Sequence, residues 1–373
     1  MGFRIDSKQF YERVSSVAKV SAKSSNGLSF GNVRLRYDGS TLSLTGVSAK
    51  LCVTERVFDV PGDSKMDVVI DTTPMERVLK KLRKSELVIK QVGEMELVME
   101  YDGGELRCVA GNPDVFPRIY DMPSDEPSMI DINMFKGVFS KAAYFCKFDN
   151  DRPALGNVIM DVEGDNIFVI ASDVSNMYRN KLANIDKIKD GRYYISGETA
   201  VSLDGYMRGL DGKVSMWFKD GRLYFHSEAV DLYESPYSGA FFNWKVLETD
   251  EPFTTVIRFN KKDMLDSLAR CDASDMNTVI INVKDGEAHL EAENVLTSIK
   301  VSDKLPVEIV DGEPYDAIMG IDTLKRAVSC CLSDKVTLRR RANRRYIIVS
   351  PEDNDEERML SMECAHVTER FKK

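Results

Sequence analysis

Three histidines (226, 289 and 366) are spread through the 373 residues, so a zinc centre lacks its usual local ligand spacing. There is no GxxxxGK[ST] phosphate loop, no HExxH and no GxSxG, which leaves nucleotide hydrolysis, zinc proteolysis and serine hydrolysis without a signature. Asp149-Asn150-Asp151 starts like a calcium loop, but Gly is missing at the sixth position and Glu at the twelfth. The acidic run Asp353–Glu357 reads as a solvated turn. The expectation is no metal, no cofactor and no enzyme activity. No apolar run approaches the roughly 18 residues of a membrane span. The opening MGFRIDSKQF has no signal-peptide core, and Asp6 stands where a myristoylation signal after Gly2 needs Ser or Thr. Cysteines are few, odd in number and scattered (52, 108, 146, 271, 330, 331 and 364), which points to free thiols in a reducing cytoplasm. Adjacent on a predicted helix, Cys330 and Cys331 read as core filling.

What is present is repetition. Gly156–Tyr178 (GNVIMDVEGDNIFVIASDVSNMY) reads as two alternating strands around a Glu163-Gly164-Asp165 turn, followed by a short polar loop. Altered copies occur at Gly31–Gly46 and Asn277–Asn294. Aligning Val33, Val158 and Val279 gives spacings of 125 and 121 residues. A strand running into a helix recurs at Ile70, Ile195 and Ile318, with spacings of 125 and 123. Asp125-Glu126-Pro127 and Asp250-Glu251-Pro252 are polar junctions 125 residues apart, each preceded by an aromatic-rich segment. These landmarks divide the chain into domains near 1–128, 129–252 and 253–373. Each has two helices and about eight strands, an α+β pattern of antiparallel sheets. Repeats of this size are whole domains, not solenoid units. Three in a row suggest an arc, and two arcs closing head to tail would make a ring.

The chain carries a net charge of −9. The six predicted helices (Ser7–Lys19, Thr73–Lys84, Asn133–Lys147, Gly197–Gly209, Asn260–Cys271 and Ile321–Ser333) together carry +10, which leaves −19 for everything else. Helices biased to one sign suit a polyanion, with Lys and Arg meeting phosphates without reading sequence. For any single lysine, an ordinary solvated helical face remains the bland alternative.

The chain resembles the bacterial sliding clamp, the β subunit of DNA polymerase III. The residues that carry the likeness are Gly31-Asn32, Asp38-Gly39-Ser40-Thr41-Leu42-Ser43-Leu44-Thr45-Gly46, Phe116-Pro117, and Leu155-Gly156-Asn157 through Ala171-Ser172-Asp173. The resemblance implies a homodimeric ring of six domains, helices lining a channel around duplex DNA. The clamp tethers a polymerase and does no chemistry itself. Implied DNA-facing residues are Lys23, Arg77, Lys80, Lys81, Lys84, Lys136, Lys141, Lys147 and Arg152, with Ser24 where the family often has Arg. An apolar cleft for peptide tails of the polymerase catalytic subunit, the clamp loader and other clamp-binding proteins is implied. Its matching positions are Leu155, Ser172, Val174, Met177, Phe242, Val246, Leu247, Tyr346, Leu360, Met362 and Cys364. The implied ring interface joins Val78 and Leu82 to Asp272 and Ala273, where the last two are small or charged against a family tendency to apolar. The family often reads Asp-Gly-His-Arg-Leu where this chain has Asp173-Val174-Ser175-Asn176-Met177. Its usual short apolar C-terminal tail is replaced by residues 365–373, AHVTERFKK. Both departures suggest a divergent clamp, of a phage or mobile element or simply of a distant lineage, with altered partner specificity. Arg339–Arg345 is a basic hairpin open to a nucleic acid or a partner. The alternative is a three-domain interaction scaffold that keeps the fold without encircling DNA.

Overall fold

The computed structural model describes residues 2–21, 32–235, 237, 239–312, 314–342 and 344–364. Its elements follow one order three times. The first set is β1 (Gly2–Asp6), α1 (Ser7–Ser21), β2 (Asn32–Tyr37), β3 (Leu42–Val47), β4 (Leu51–Val57), β5 (Met66–Asp71), α2 (Thr72–Leu79), β6 (Glu86–Val92), β7 (Glu96–Tyr101) and β8 (Gly104–Gly111). The second is β9 (Ser128–Asp131), α3 (Val138–Ala143), β10 (Asn157–Glu163), β11 (Asn166–Ser172), β12 (Asn176–Ala183), β13 (Gly191–Ser196), α4 (Gly197–Arg208), β14 (Lys213–Lys219), β15 (Arg222–His226) and β16 (Val230–Glu234). The third is β17 (Phe253–Asn260), α5 (Lys261–Asp272), β18 (Thr278–Lys284), β19 (Glu287–Asn294), β20 (Ile299–Pro306), β21 (Glu308–Gly312), β22 (Tyr315–Gly320), α6 (Ile321–Cys330), β23 (Lys335–Arg341), β24 (Tyr346–Pro351) and β25 (Glu357–Met362). The third set has one strand more, β21, added beside β17.

Two compact units result, residues 1–133 with 206–238 and residues 134–205 with 239–373. The first holds a twelve-stranded sheet in the order β1-β6-β7-β8-β5-β2-β3-β4-β16-β15-β14-β9. The second holds a nine-stranded sheet, β13-β10-β11-β12-β25-β24-β23-β17-β21, and a four-stranded one, β20-β19-β18-β22. Strands of successive sets therefore pair edge to edge inside the chain, β4 with β16 and β12 with β25.

Local chemistry explains most elements. Phe10, Val14 and Val17 recur at helical spacing and are fully buried on α1. The β10–β11 loop is Gly164-Asp165, with Gly164 at φ 57°. Asp285 and Gly286 take φ 51° and 82° between β18 and β19, the left-handed pair a two-residue hairpin turn needs. Two helices are shorter than their apolar patterns suggest. The pattern over 133–147 breaks at Gly137, whose φ of 80° separates a 3-10 turn, Ile132–Met134, from α3. The Asp71 side chain caps α2 by accepting the Thr73 amide, but the helix stops at Leu79, so Lys80, Lys81 and Lys84 lie beyond its end. Cations there complement the exposed carbonyls.

Among the described residues all seven cysteines are free. Burial pushes the Cys330 thiol up to about 11, which leaves it unreactive. No group of three or more His, Cys, Asp or Glu among the described residues is placed to hold a metal ion. No helix there is long and apolar enough to cross a membrane.

Candidate functional site

Pairing aligns Ser172, Met177, Leu360 and Ile348 in one row across β11, β12, β25 and β24. Tyr346 pairs with Met362 two residues along, on the same face because side chains alternate with period two. The segment 239–252 crosses that face strand by strand. The Phe241 amide donates to the Tyr194 hydroxyl (3.4 Å), and the Trp244 indole to Asp161 Oδ2 (3.0 Å). The Tyr346 hydroxyl donates to the Leu247 carbonyl (2.9 Å), and Arg341 Nε to the Glu251 carbonyl (2.7 Å). Glu248 sits between Arg179 (3.1 Å) and Arg358 (3.3 Å). A stretch that reads as a domain linker is thus a strap over the nine-stranded sheet.

Beside the strap an apolar surface stays open. Val246 is 60%, Val174 52%, Met362 44% and Phe242 38% exposed. Its floor is buried: Ser172, Met177, Tyr346 and Leu360, with Leu247 half-buried. Leu155 is buried in the 3-10 turn Pro153–Gly156, and Phe242 stacks on Phe241 with ring centroids 4.5 Å apart. Cys364 is exposed, its amide bonded to the Ile318 carbonyl (2.8 Å). The rim is a tight turn. Asp173 Oδ1 accepts the amides of Ser175 (3.0 Å) and Asn176 (2.7 Å), while Ser172 Oγ accepts the Val174 amide (3.1 Å). Val174 sits there at φ 80°, a region β-branched residues avoid.

The first unit contains the equivalent surface in a closed form. Val47, Cys52 and Tyr233 make the matching row across β3, β4 and β16. Phe116 is packed into it with Tyr224 and Tyr233. The Tyr233 hydroxyl donates to the Arg118 carbonyl (3.0 Å) and accepts the Tyr120 amide (3.2 Å). Arg118 and Arg222 stack on the Tyr120 ring at 4.9 and 4.1 Å. Val174, Phe242, Val246 and Met362 correspond by repeat and register to Ala49, Pro117, Asp121 and Ser235. Only the second unit's copy presents apolar anchors, the requirement for capturing an extended apolar peptide.

The basic candidates sort into two groups. Arg77, Lys80, Lys81, Lys84 and Lys147 are exposed, and Lys136 is half-buried just before α3. Lys141 is instead committed to the core, its Nζ 2.6 Å from Glu357 with side chains 17% and 5% exposed. Arg152 forks onto Asp149 at 3.0 and 2.7 Å and, together with the Asp151 amide, holds that carboxyl below its usual range. Lys23 lies outside the described residues. Four of the basic hairpin's five arginines are engaged internally, Arg339 on Asp355 (2.6 Å), Arg340 on Glu363 (3.0 Å), Arg344 on Glu251 (2.8 Å) and Arg341 on the strap, while Arg345 is exposed. Val78 and Leu82 pack half-buried against the first core. Asp272 pairs with Lys325 (2.6 Å), and Ala273 caps the end of α5.

A family model described as DNA polymerase III beta subunit, N-terminal domain, matches residues 1–119. That sequence match covers the first third of the chain, and solved beta subunits share the fold of nearly all of it. The Pseudomonas aeruginosa beta subunit superposes with a TM-score of 0.85 at 15% identity, covering 98% of this chain and 100% of that one. The Streptococcus pneumoniae beta chain gives 0.86 at 17%, with 97% and 99% covered. The Thermotoga maritima beta subunit gives 0.86 at 13%, with 97% and 99% covered. No curated protein matches the chain by sequence.

The rim carries a strained residue. Val174 holds a left-handed backbone where the stretch that the resemblance implies, Asp-Gly-His-Arg-Leu, would put a glycine. The Val174→Gly variant should therefore gain about 1 kcal/mol from relieved strain. Its thermal midpoint should rise, whereas an unchanged or lower midpoint would mean that Val174 is not strained. Residues that the sequence reading missed are Arg326, which pairs with Asp173 behind this turn, and Tyr144, whose ring the Arg326 guanidinium covers. No local motif marks that meeting, because α6 and the turn lie about 150 residues apart.

Proposed function

We propose that the chain is a sliding clamp, two copies closing a ring around duplex DNA and holding clamp-binding peptides in the open apolar surface beside the strap. The reading keeps three domains, near 1–128, 129–252 and 253–373. Exposed cations on and after α2 and α3 meet backbone phosphates without reading bases. Its partners are then duplex DNA, the DNA polymerase III catalytic subunit, the clamp loader and other proteins with clamp-binding tails, in the cytoplasm. The clamp is a processivity factor, not an enzyme.

The observation that carries the ring is the pattern of strand edges. β4 pairs with β16 and β12 with β25, so each set of elements offers one edge to the next. In the described sheets, the strands equivalent to β4 or β12 in the third set and to β16 or β25 in the first, β20 and β8, have no such partner within the chain. β20 ends its sheet, and β5 reaches only Ala110 and Gly111 of β8. An unpaired edge is a template for another strand. The proposed third junction is β20 against β8 of a second copy, with a register taken by analogy from the chain's own pairs. Val53 faces Leu232 and Tyr178 faces Met359. The ion pairs Arg13–Glu55 and Arg270–Asp303, each from the first helix of a set to its fourth strand, align Val53 with Val301. On this basis Val301 lies opposite the partner subunit's Leu106. Val78, Leu82, Asp272 and Ala273 then flank the junction and are not its centre.

The test is retention on nicked circular DNA. The protein should stay bound through a high-salt wash and leave once the circle is cut. Loss from both forms alike, or a monomer in sedimentation, would favour a scaffold that does not encircle DNA.

A further inference from the structure

Behind the Val174 turn lies a cavity of about 430 Å3 lined by Tyr144, Leu265, Asp322, Lys325, Arg326 and Ser329. It opens among α3, α5 and α6. Arg326 lies over the Tyr144 ring at 5.2 Å and pairs with Asp173, the residue that organises the turn. Its side chain keeps 28% exposure against 11% for Asp173. Lys325 pairs at 2.6 Å with the half-exposed Asp272, and Asp322 is the one carboxylate of the lining.

We propose that this groove takes a backbone phosphate of duplex DNA, and that the phosphate draws Arg326 away from Asp173 and loosens the 173–176 turn. The inference rests on the clamp reading. A guanidinium fork fits phosphate as well as carboxylate, and Ser329 adds a hydroxyl donor. Asp173 and Asp272 oppose a lone anion. Duplex held in a closed ring, however, presents phosphates at high effective concentration and competes for both cations. Once Arg326 leaves, Asp173 keeps its two amide bonds to the turn but loses its ion pair to α6. The strain at Val174 is then no longer held from behind. The turn rims the apolar surface, so phosphate and peptide are coupled, and the coupling is reciprocal: each weakens the other.

Hydrogen–deuterium exchange of the stretch 172–177 in the full-length protein tests this, with a short linear duplex as probe at low salt. Duplex should speed exchange of the turn by about tenfold, the scale of one charge-assisted hydrogen bond. Arg326→Gln should exchange fast without duplex and show no further change with it. Lys325→Gln, which does not touch Asp173, should leave basal exchange alone and reduce the response to duplex. Bound duplex with a silent turn in the wild type would overturn the proposal, as would a response that survives in Arg326→Gln. Failure of the wild type to bind the linear duplex even at low salt would overturn the groove proposal, while the clamp reading, which rests on retention by closed circles, would stand.

Discussion

Val301→Asp yields a monomer that no longer stays on nicked circular DNA. In a head-to-tail ring each copy supplies one β20 and one β8, so a single substitution strikes both junctions. The proposed ring, built on the register of the chain's internal pairs, has Val301 opposite the partner's Leu106. An unpaired carboxylate buried there costs about 3 kcal/mol per junction. Two junctions weaken the dimer by a factor of roughly ten thousand. Leu106→Asp should do the same from the other side. Val301→Asp combined with Leu106→Lys should restore the dimer, because opposite charges then face each other across each junction. Met129→Asp, on the far edge strand β9, is the control and should remain dimeric. Sedimentation velocity reads all four. A persistent Val301→Asp dimer would refute the junction, and a monomeric Met129→Asp would show that any edge charge is enough.

The fold was legible because its periodicities are strong. Alternation around Glu163-Gly164-Asp165 and around Asp285-Gly286 marks hairpins that need particular turn residues. The repeat near 125 residues marks elements in one order. Helix ends were less legible, because Gly137 and the stop after Leu79 depend on tertiary bonds such as Asp204 accepting the Gly137 amide. The apolar site was half legible. Its residue types match the family's positions, but burial follows from strand register and from the strap, neither of which is local. Met177 is one of the implied cleft positions and is 3% exposed, on the floor of the surface. The basic surface was least legible. Charge on a helix says nothing of what the side chain meets, and Lys141 shows the consequence.

Lys141→Met should destabilise the second unit by about 3–5 kcal/mol, the cost of leaving a buried charge alone. Lys141 Nζ donates to Glu357 Oε1 at 2.6 Å, and the same oxygen accepts from the Tyr178 hydroxyl at 2.9 Å. Asn180 Nδ2 in turn donates to that hydroxyl at 3.3 Å. Burial, and then the nearby Glu357 carboxylate, hold the Tyr178 hydroxyl well above its ordinary range, so it serves as a donor at any pH the fold tolerates. The pair ties α3 to β25, the strand next to β12 in the nine-stranded sheet. Removing the lysine alone strands Glu357 at 4% exposure. Lys141→Met with Glu357→Gln removes both charges and should recover most of the loss, since an amide still accepts from Tyr178. Urea unfolding followed by near-ultraviolet circular dichroism measures the difference between single and double variants. Were Lys141 a phosphate contact instead, the single variant would keep its midpoint and lose DNA retention. The geometry requires the opposite order: stability falls first, and binding only as far as the unfolded fraction grows.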